Sequence, residues 1–181
     1  MSALKQKTES IQNKVASEVA KLIIEWLKII CSTFIVMIVI KSLLLDIVVV
    51  HQTSMYPTLK EEEKLFLYKQ AYTFGTPERG DIIVFRSNDK LLVKRLIGLP
   101  EDMVEIKNSQ LYLNGKLYPE NYLSSDLSRY PDFGVTIVPP DCYFVLGDNR
   151  PVSVDSRSFG SISENDVLGK IILRVSPFKW F

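Results

Sequence analysis

A long apolar segment near the start of the chain limits its possible folds more strongly than any other sequence feature. The segment covers residues 22–45 and reads LIIEWLKIICSTFIVMIVIKSLLL, with an uncharged centre from Ile29 to Ile40. Since about 20 residues are needed to cross the hydrocarbon of a bilayer, Lys28 and Lys41 must extend toward the two headgroup layers. We predict a transmembrane anchor helix over residues 22–45.

Two other structures are compatible with an apolar segment of this kind. A buried core helix has a similar composition, although a charge-free run of this length favours a membrane span. A removable signal peptide is disfavoured because the apolar part begins late and no small-x-small cleavage site follows it.

The distribution of charge predicts how such an anchor is oriented. Residues 1–45 contain six Lys and three Glu, whereas the remaining residues contain 16 basic and 18 acidic side chains. Because lysines are enriched on the cytoplasmic side of membrane spans, we expect residues 1–21 in the cytoplasm and residues 46–181 outside the plasma membrane. The chain is then a single-pass membrane protein.

The composition also excludes several classes of function. A slightly acidic domain behind a basic start is unlike a nucleic-acid binder. The two cysteines, Cys31 in the apolar segment and Cys142 far along the chain, indicate neither a disulfide framework nor a metal site, and His51 is the single histidine. We therefore expect no cofactor, no metal and no nucleic-acid partner.

Beyond the anchor, the hydrophobic pattern changes from helical to strand-like. Asn114-Gly115 between two short apolar runs predicts a two-residue hairpin. The absence of amphipathic helices predicts a mainly β, antiparallel domain over residues 46–181, with about 107–139 as an inserted subdomain of β-strands and loops. The predicted strands are Ile47–Thr53, Lys64–Tyr68, Asp81–Phe85, Leu91–Ile97, Met103–Lys107, Gln110–Leu113, Tyr143–Leu146 and Gly169–Val175.

Ser54 lies at the end of the first predicted strand, just before the turn that Pro57 imposes. A serine at this position usually makes only local hydrogen bonds, and it needs a neighbouring base to act as a nucleophile. Side chains alternate along a strand, so His51 is expected to face away from Ser54. This alternation disfavours a Ser-His-Asp triad.

Lys94 is the alternative base. In the strand Leu91–Ile97 it shares a face with Leu92 and Leu96. Burial on such a face lowers the pKa of a lysine from about 10.4 toward neutrality, which makes the amine a usable general base. The competing interpretation is that the ammonium group reaches solvent along its flexible stem.

A polar loop, Gly147–Gly160, is the third candidate cluster. It contains two Asp, two Arg and three Ser between glycines, so it can form a dense hydrogen-bond network. The simpler interpretation, which applies especially to Asp148, Arg150 and Arg157, is a salt-bridged loop that only supports the fold.

In their order and spacing these clusters resemble the type I signal peptidases. The resemblance runs from the anchor to nearly the end of the chain. It implies a β-rich, membrane-bound serine endopeptidase that cleaves N-terminal signal peptides from exported preproteins. Besides the anchor, it rests on Ser-Met-x-Pro-Thr at Ser54–Thr58, Arg-Gly-Asp-Ile-x-Val-Phe at Arg79–Phe85, Lys-Arg-x-x-Gly-x-Pro-x-Asp at Lys94–Asp102 and Gly-Asp-Asn-Arg-x-x-Ser-x-Asp-Ser-Arg-x-x-Gly at Gly147–Gly160.

The resemblance also implies a role for each site residue. Ser54 attacks the scissile carbonyl and Lys94 accepts its proton, while Ser153 hydrogen-bonds and orients the lysine amine. Asp155 and Arg157 brace the loop.

The same resemblance implies how substrate is held. The backbone N–H of Ser54 donates to the oxyanion, at a site that Gln52 also lines. Val50, Met55 and Val93 form shallow apolar pockets, and the substrate pairs as an extended strand beside residues 47–53. The expected partners are exported preproteins and the lipid bilayer.

Two positions depart from the family pattern. Gln52 stands where the family usually has Gly or Ser, and Glu101 stands where it commonly has Gly, so the oxyanion site and the turn after Lys94 are expected to differ. The rival function is a non-catalytic or specialised relative that assembles surface proteins. The presence of both Ser54 and Lys94 disfavours a non-catalytic relative.

Two other families share part of the pattern. Eukaryotic-type signal peptidases carry histidine in place of Lys94. Self-cleaving repressors share Ser/Lys chemistry but have a DNA-binding domain where this chain has its apolar segment.

Overall fold

A computed structural model describes residues 2–73, 75–88, 90–124, 129–175 and 179–181 of the chain. It divides into two compact units, Met1–Leu43 and Leu44–Phe181. The first is helical and the second is built from β-strands, as the change in hydrophobic period predicts.

Helix α1 covers Ser2–Leu44 and contains the apolar segment. Its part Ser17–Lys41 is 25 residues long, which at 1.5 Å per residue gives about 37 Å, enough to cross the hydrocarbon of a bilayer. None of that part is buried, which is unlike a core helix of a globular protein. The helix ends at Leu44, one residue before the predicted end of the anchor.

The second unit contains twelve strands among the residues described. Every paired strand is antiparallel, so the predicted mainly β, antiparallel fold class is confirmed. The strands are β1 Leu45–Val49, β2 Lys64–Tyr68, β3 Ile82–Ser87, β4 Lys90–Gly98, β5 Met103–Lys107, β6 Gln110–Leu113, β7 Lys116–Leu117, β8 Phe133–Ile137, β9 Cys142–Leu146, β10 Ile162–Ser163, β11 Val167–Arg174 and β12 Lys179–Trp180.

These strands form two sheets. The larger has the order β1-β2-β11-β3-β4-β9-β10, with β12 also paired to β11, and the smaller has the order β7-β6-β5-β8. A short helix α2, Ser156–Phe159, and a 3-10 turn, Glu164–Asp166, follow β9. The smaller sheet lies within residues 103–137, close to the predicted inserted subdomain.

The hairpin between β6 and β7 shows how local sequence directs this fold. Asn114 and Gly115 both adopt positive φ, +52° and +75°, as the predicted two-residue turn requires. Leu113 then pairs with Lys116 across the turn. The hairpin prediction is confirmed.

Strand β3 is the centre of the larger sheet, and both of its faces are covered. Ile82 and Val84 belong to one buried cluster, and Ile83 and Phe85 to another on the opposite face. In β4, Lys94 pairs with Ile83 and Arg95 pairs with Ile82. Because paired residues point to the same face, the two neighbouring cations lie on opposite faces of the sheet.

The first predicted strand is shorter than expected. We predicted Ile47–Thr53, whereas β1 ends at Val49 and Ser54 lies in a turn. Beyond the end of β1, Val50 donates its N–H to Glu63 O at 3.0 Å and accepts the N–H of Glu62 at 2.8 Å.

Candidate active site

The turn that carries Ser54 is held by backbone contacts with the Gly147–Gly160 loop. Asn149 donates its N–H to Ser54 O at 2.9 Å and its side-chain amide to Thr53 O at 3.1 Å. On the other side Met55 is buried in the apolar core. Ser54 is therefore fixed between a packed side chain and a hydrogen-bonded loop.

Lys94 Nζ donates a hydrogen bond to Ser54 Oγ at 2.7 Å. The lysine is only 1% exposed, so its amine does not reach solvent along its stem. Nζ also lies 3.2 Å from the carbonyl oxygen of Val93, to which it donates. The strand and the turn, 40 residues apart in the sequence, thus bring the two predicted catalytic side chains into direct contact.

Burial controls the protonation of this amine. It lowers the pKa of Lys94 from 10.5 to about 8, and the negative charges of Asp155 and Asp148 partly oppose the shift. A substantial fraction of Lys94 is therefore neutral in mildly alkaline solution. A neutral amine can accept the hydroxyl proton along the same 2.7 Å line.

His51 occupies a different environment. Since β1 ends at Val49, the strand alternation that we used to turn His51 away from Ser54 does not apply to these residues. Its side chain is mostly exposed, and Nδ1 lies 3.6 Å from a carboxylate oxygen of Glu62. The hydroxyl of Ser54 is instead bonded to Lys94.

Ser153 lies beside the turn of Ser54, across Gly147. A Cβ built on Gly147 would lie 2.1 Å from Ser153 Oγ and 2.5 Å from Ser54 O, so only glycine fits between them. Ser153 Oγ is buried and has no hydrogen-bond partner within the described part of the chain. A buried hydroxyl without a hydrogen-bond partner is destabilising. Ser153 Oγ would therefore gain free energy by bonding a neighbouring group whose protonation changes, or a group of the bound substrate.

Asp155 and Arg157 join the two ends of the loop. Asp155 accepts hydrogen bonds from Gly147 N at 3.0 Å and from Arg157 Nε at 2.8 Å, and it caps helix α2. Arg157 donates in turn to the carbonyl oxygen of Arg150 at 2.8 Å. These bonds close the loop on itself around Ser153.

Other polar residues of the loop act in support, as the simpler interpretation proposes for Asp148 and Arg150. Asp148 binds the guanidinium of Arg95 through two hydrogen bonds, of 2.9 and 2.6 Å, and also accepts from Thr58. Arg150 is fully buried and forms an ion pair with Glu120. Thr58 ends the Ser54–Thr58 motif, but that motif did not indicate its bond to Asp148, and no sequence pattern indicated Glu120.

Two tyrosines complete this support. Tyr130 Oη accepts a hydrogen bond from Arg150 at 2.8 Å, and the ring of Tyr122 lies 4.0 Å from the guanidinium carbon of Arg95. Such stacking and bonding stabilise buried guanidinium groups. Burial and the nearby Glu120 carboxylate raise the pKa of Tyr130 to about 12, so its hydroxyl stays neutral.

A groove of about 510 Å³ opens beside Ser54. Its lining includes Val50, Met55 and Val93, the three residues predicted to bind substrate side chains. Gln52 lines the same groove and also a second cavity of about 680 Å³ on the other side of Ser54. The backbone N–H of Ser54 donates to no other group among the described residues, so it is available to an oxyanion.

The turn after Lys94 accommodates the second departure from the family pattern. Glu101 adopts a φ of +68°, the left-handed conformation that glycine favours. Its neighbour Asp102 accepts hydrogen bonds from Arg79 at 2.6 Å and from Asn114 at 2.8 Å, which keep its pKa low although burial acts to raise it. The turn therefore has a glycine-like backbone without a glycine.

No group of three or more His, Cys, Asp or Glu side chains in the described residues is arranged to hold a metal ion. The groups that could take part in chemistry here are a hydroxyl, an amine and backbone amides. That set suits acyl transfer through a covalent serine intermediate.

Comparison with known proteins gives consistent similarities. The family model described as signal peptidase, peptidase S26, matches residues 23–176. Signal peptidase I P of Bacillus subtilis subsp. natto is 42% identical over 158 residues, which are 81% of this chain and 85% of that protein. Signal peptidase I S of Bacillus subtilis strain 168 is 38% identical over 182 residues, with 95% and 96% coverage.

Among solved structures, a signal peptidase I from Enterococcus faecalis is 40% identical to this chain. It aligns with a TM-score of 0.48 and covers 52% of this chain and 96% of its own. The residues that the family model matches include Ser54, Lys94 and the whole Gly147–Gly160 loop.

Proposed function

Because the chain belongs to the signal peptidase family, peptidase S26, we propose that it is a membrane-bound enzyme that cleaves N-terminal signal peptides from exported preproteins with a Ser54/Lys94 dyad. The family resemblance predicted from the sequence is confirmed, and the chain is a serine peptidase of this family. The dyad is supported above all by the 2.7 Å hydrogen bond between Ser54 Oγ and the buried amine of Lys94.

In the first half-reaction, Ser54 Oγ attacks the carbonyl carbon of the scissile peptide bond and its proton passes to the neutral amine of Lys94. The resulting oxyanion accepts hydrogen bonds from the backbone N–H of Ser54 and from the Gln52 side-chain amide. Lys94 then protonates the leaving amine, which departs with the mature protein. The signal peptide stays bound to Ser54 as an ester.

In the second half-reaction, the neutral amine of Lys94 accepts a proton from water, and the hydroxide formed attacks the ester carbonyl. The signal peptide leaves as a carboxylate and the proton returns to Ser54 Oγ. Ser153 Oγ is buried beside this turn and has no hydrogen-bond partner among the described residues. During the reaction we expect it to hydrogen-bond the amine of Lys94 and keep it directed at Ser54. Asp155 and Arg157 hold the loop that carries Ser153.

The substrate lies in the groove beside β1 as an extended chain. Side chains of an extended chain alternate, so the residue before the scissile bond and the residue two positions upstream both point into the groove. There they contact Val50, Met55 and Val93, which leave room for small apolar side chains. Main-chain hydrogen bonds along the edge strand provide affinity, and these pockets provide specificity.

The apolar part of α1 anchors the enzyme in the plasma membrane. Ser17–Lys41 is long and apolar enough to cross it, and the excess of lysines before the span supports an orientation with the N-terminus in the cytoplasm. The catalytic domain is then extracytoplasmic, where signal peptides emerge from translocation.

Cleavage of a purified exported precursor by the full chain in detergent tests the dyad. Wild type is compared with Ser54→Ala, Lys94→Ala and the control Ser161→Ala, which changes a serine outside the site. We expect only wild type and the control to cut. Equal processing by all four proteins would refute the dyad, and no cleavage by any would favour the non-catalytic relative.

The pH dependence of kcat/KM gives a second test. Lys94 must be neutral to act as a base, so the rate should rise about tenfold per pH unit below its pKa of about 8 and level off above it. A flat profile from neutral to alkaline pH would exclude a lysine base.

A further inference from the structure

The groove beside Ser54 is apolar along its walls but ends on a charged pair. The lining runs from Ser54 past Val50 and Val48 to Asp46 and Lys69. Lys69 Nζ lies 3.1 Å from Asp46 Oδ2, and both side chains are partly exposed. The groove thus includes a charged pair at the Asp46 end of β1, where Leu67 lies opposite Asp46 in the neighbouring strand.

The charged pair is fixed to the sheet. Asp46 lies in β1, and its second carboxylate oxygen accepts the N–H of Ile47 at 2.8 Å. Lys69 follows β2, and its backbone N–H donates to Leu44 O at 3.0 Å. The hydrogen bond from Lys69 lowers the pKa of Asp46, so the carboxylate of Asp46 is ionised at neutral pH.

Strand geometry gives the distance from the pair to the scissile bond. From Val50, which lines the pocket next to Ser54, to Asp46 is four residues, or about 13 Å at about 3.3 Å per residue. An extended substrate covers the same distance with the same number of residues. If P1 is the residue that carries the scissile carbonyl, the residue beside the pair is P5.

The chemistry of the pair determines which side chains it tolerates. A large apolar side chain placed over it would displace water from two charges and give no hydrogen bond in return, which is unfavourable. A serine, asparagine or similar polar group would bond either charge. Beyond P5 the groove therefore ceases to be an apolar binding surface.

We propose that Asp46 and Lys69 form a subsite that accepts polar residues and rejects large apolar residues at P5 of the substrate. The pair thereby sets how close to the cleavage site the apolar part of a signal peptide can extend. This inference rests on the proposed function and on the signal-peptide side of the substrate occupying this groove.

The test compares two precursors that differ only in having Ser or Leu at P5, cut in competition by the full chain in detergent. Wild type should prefer the Ser precursor by about tenfold in kcat/KM. The double variant Asp46→Leu/Lys69→Met should reduce the preference to nearly onefold. Asp46→Asn/Lys69→Gln, which keeps the site polar without its charges, should give an intermediate ratio.

Two controls separate the subsite from general effects. Lys116→Met, which changes an exposed lysine on the smaller sheet, should keep the tenfold preference. The same Ser/Leu exchange placed at P9, beyond the groove, should not be discriminated by any of these enzymes.

The outcomes distinguish this inference from the proposed function. An unchanged Ser/Leu ratio in the Asp46→Leu/Lys69→Met variant, with both proteins cutting, would overturn the subsite and leave the peptidase assignment intact. Absence of any cleavage that depends on Ser54 would overturn both.

Discussion

Strand β4 contains two neighbouring buried cations, Arg95 and Lys94, and among the described residues only the first is bonded to a carboxylate. Arg95 donates two hydrogen bonds to Asp148, and that carboxylate raises its pKa although burial acts to lower it. Lys94, on the opposite face, forms no ion pair within the described chain and bonds the neutral hydroxyl of Ser54. Burial therefore lowers its pKa to about 8.

Two arginines of the Gly147–Gly160 loop are paired with carboxylates in the same way as Arg95. Arg150 pairs with Glu120 and Arg157 pairs with Asp155, so each of these buried guanidinium groups has its own carboxylate. Lys94 has no such partner within the described chain, at the position where the proposed mechanism transfers a proton. Burial acts to lower the pKa of both Arg95 and Lys94, and the comparison shows that a directly bonded carboxylate offsets this effect only at Arg95.

The largest expected effect is the difference in kcat/KM between a conservative change at Lys94 and one at Arg95. Lys94→Arg keeps the positive charge but cannot lose its proton, so we expect kcat/KM to fall about 1,000-fold in a precursor-cleavage assay. Arg95→Lys keeps a charge beside Asp148 and should cut at a rate within about tenfold of wild type. Similar losses in both variants would mean that the two positions do not differ in function.

A second change removes the negative charge that pairs with Arg95. Asp148→Asn leaves Arg95 buried without a counter-charge, so the free energy of unfolding should fall by about 3 kcal/mol. Denaturant unfolding of the full chain in detergent measures the loss. Asp132→Asn, at an exposed position, should change it by less than about 0.5 kcal/mol. A loss of less than about 0.5 kcal/mol in Asp148→Asn would show that the contact with Arg95 does not depend on the negative charge of residue 148.

A third change should increase the free energy of unfolding. Lys94→Met removes a buried group whose charged form is disfavoured, so it should abolish cleavage and raise stability by about 2 kcal/mol at neutral pH. The folded pKa, about 8, lies below the unfolded value of 10.5, so the unfolded chain binds more protons between these values.

Wild-type stability should consequently rise relative to the methionine variant from about pH 8 to about pH 10.5, whereas below pH 8 the methionine variant should stay more stable by a constant amount. Thermal unfolding of both proteins across this range gives the measurement. A methionine variant less stable than wild type at pH 7 would contradict the view that the lysine is uncompensated.

The smallest expected effect concerns the single histidine. His51→Gln removes an exposed imidazole that lies near Glu62, so kcat/KM should change by less than about threefold. A fall approaching that of Lys94→Arg would assign the base to the histidine instead.

Much of the sheet could be predicted from alternating hydrophobicity. The predicted bounds of β2, β5 and β6 match the observed ones, because charged residues flank β2 and Asp102, Asn108 and Asn114 interrupt the pattern around β5 and β6. Strand β8 was missed, since its sequence FGVTI contains a glycine and follows a polar stretch. The end of β1 was also misplaced, because Val50 continues the apolar run after the chain has left the sheet.

The candidate site was predictable where a motif carried the chemistry and not where distant residues support it. Ser54, Lys94 and the Gly147–Gly160 loop were found from short patterns and the family resemblance. Glu120, by contrast, pairs with Arg150 from 30 residues away, and no local pattern links them. Tertiary folding alone creates such partnerships, so a single sequence does not reveal them.

The pairing of β3 with β4 has a consequence for folding fidelity. In the observed alignment of the two strands, Lys94 lies opposite Ile83 and Arg95 lies opposite Ile82. A slip of β4 by a single residue would exchange the faces of the two cations. A slip in one direction would put Arg95 in the place of Lys94, and a slip in the other direction would put Lys94 in the place of Arg95, so in neither case would the amine of Lys94 face Ser54. A misaligned molecule is therefore inert and does not become a protease of altered specificity, so such folding errors produce no stray proteolysis.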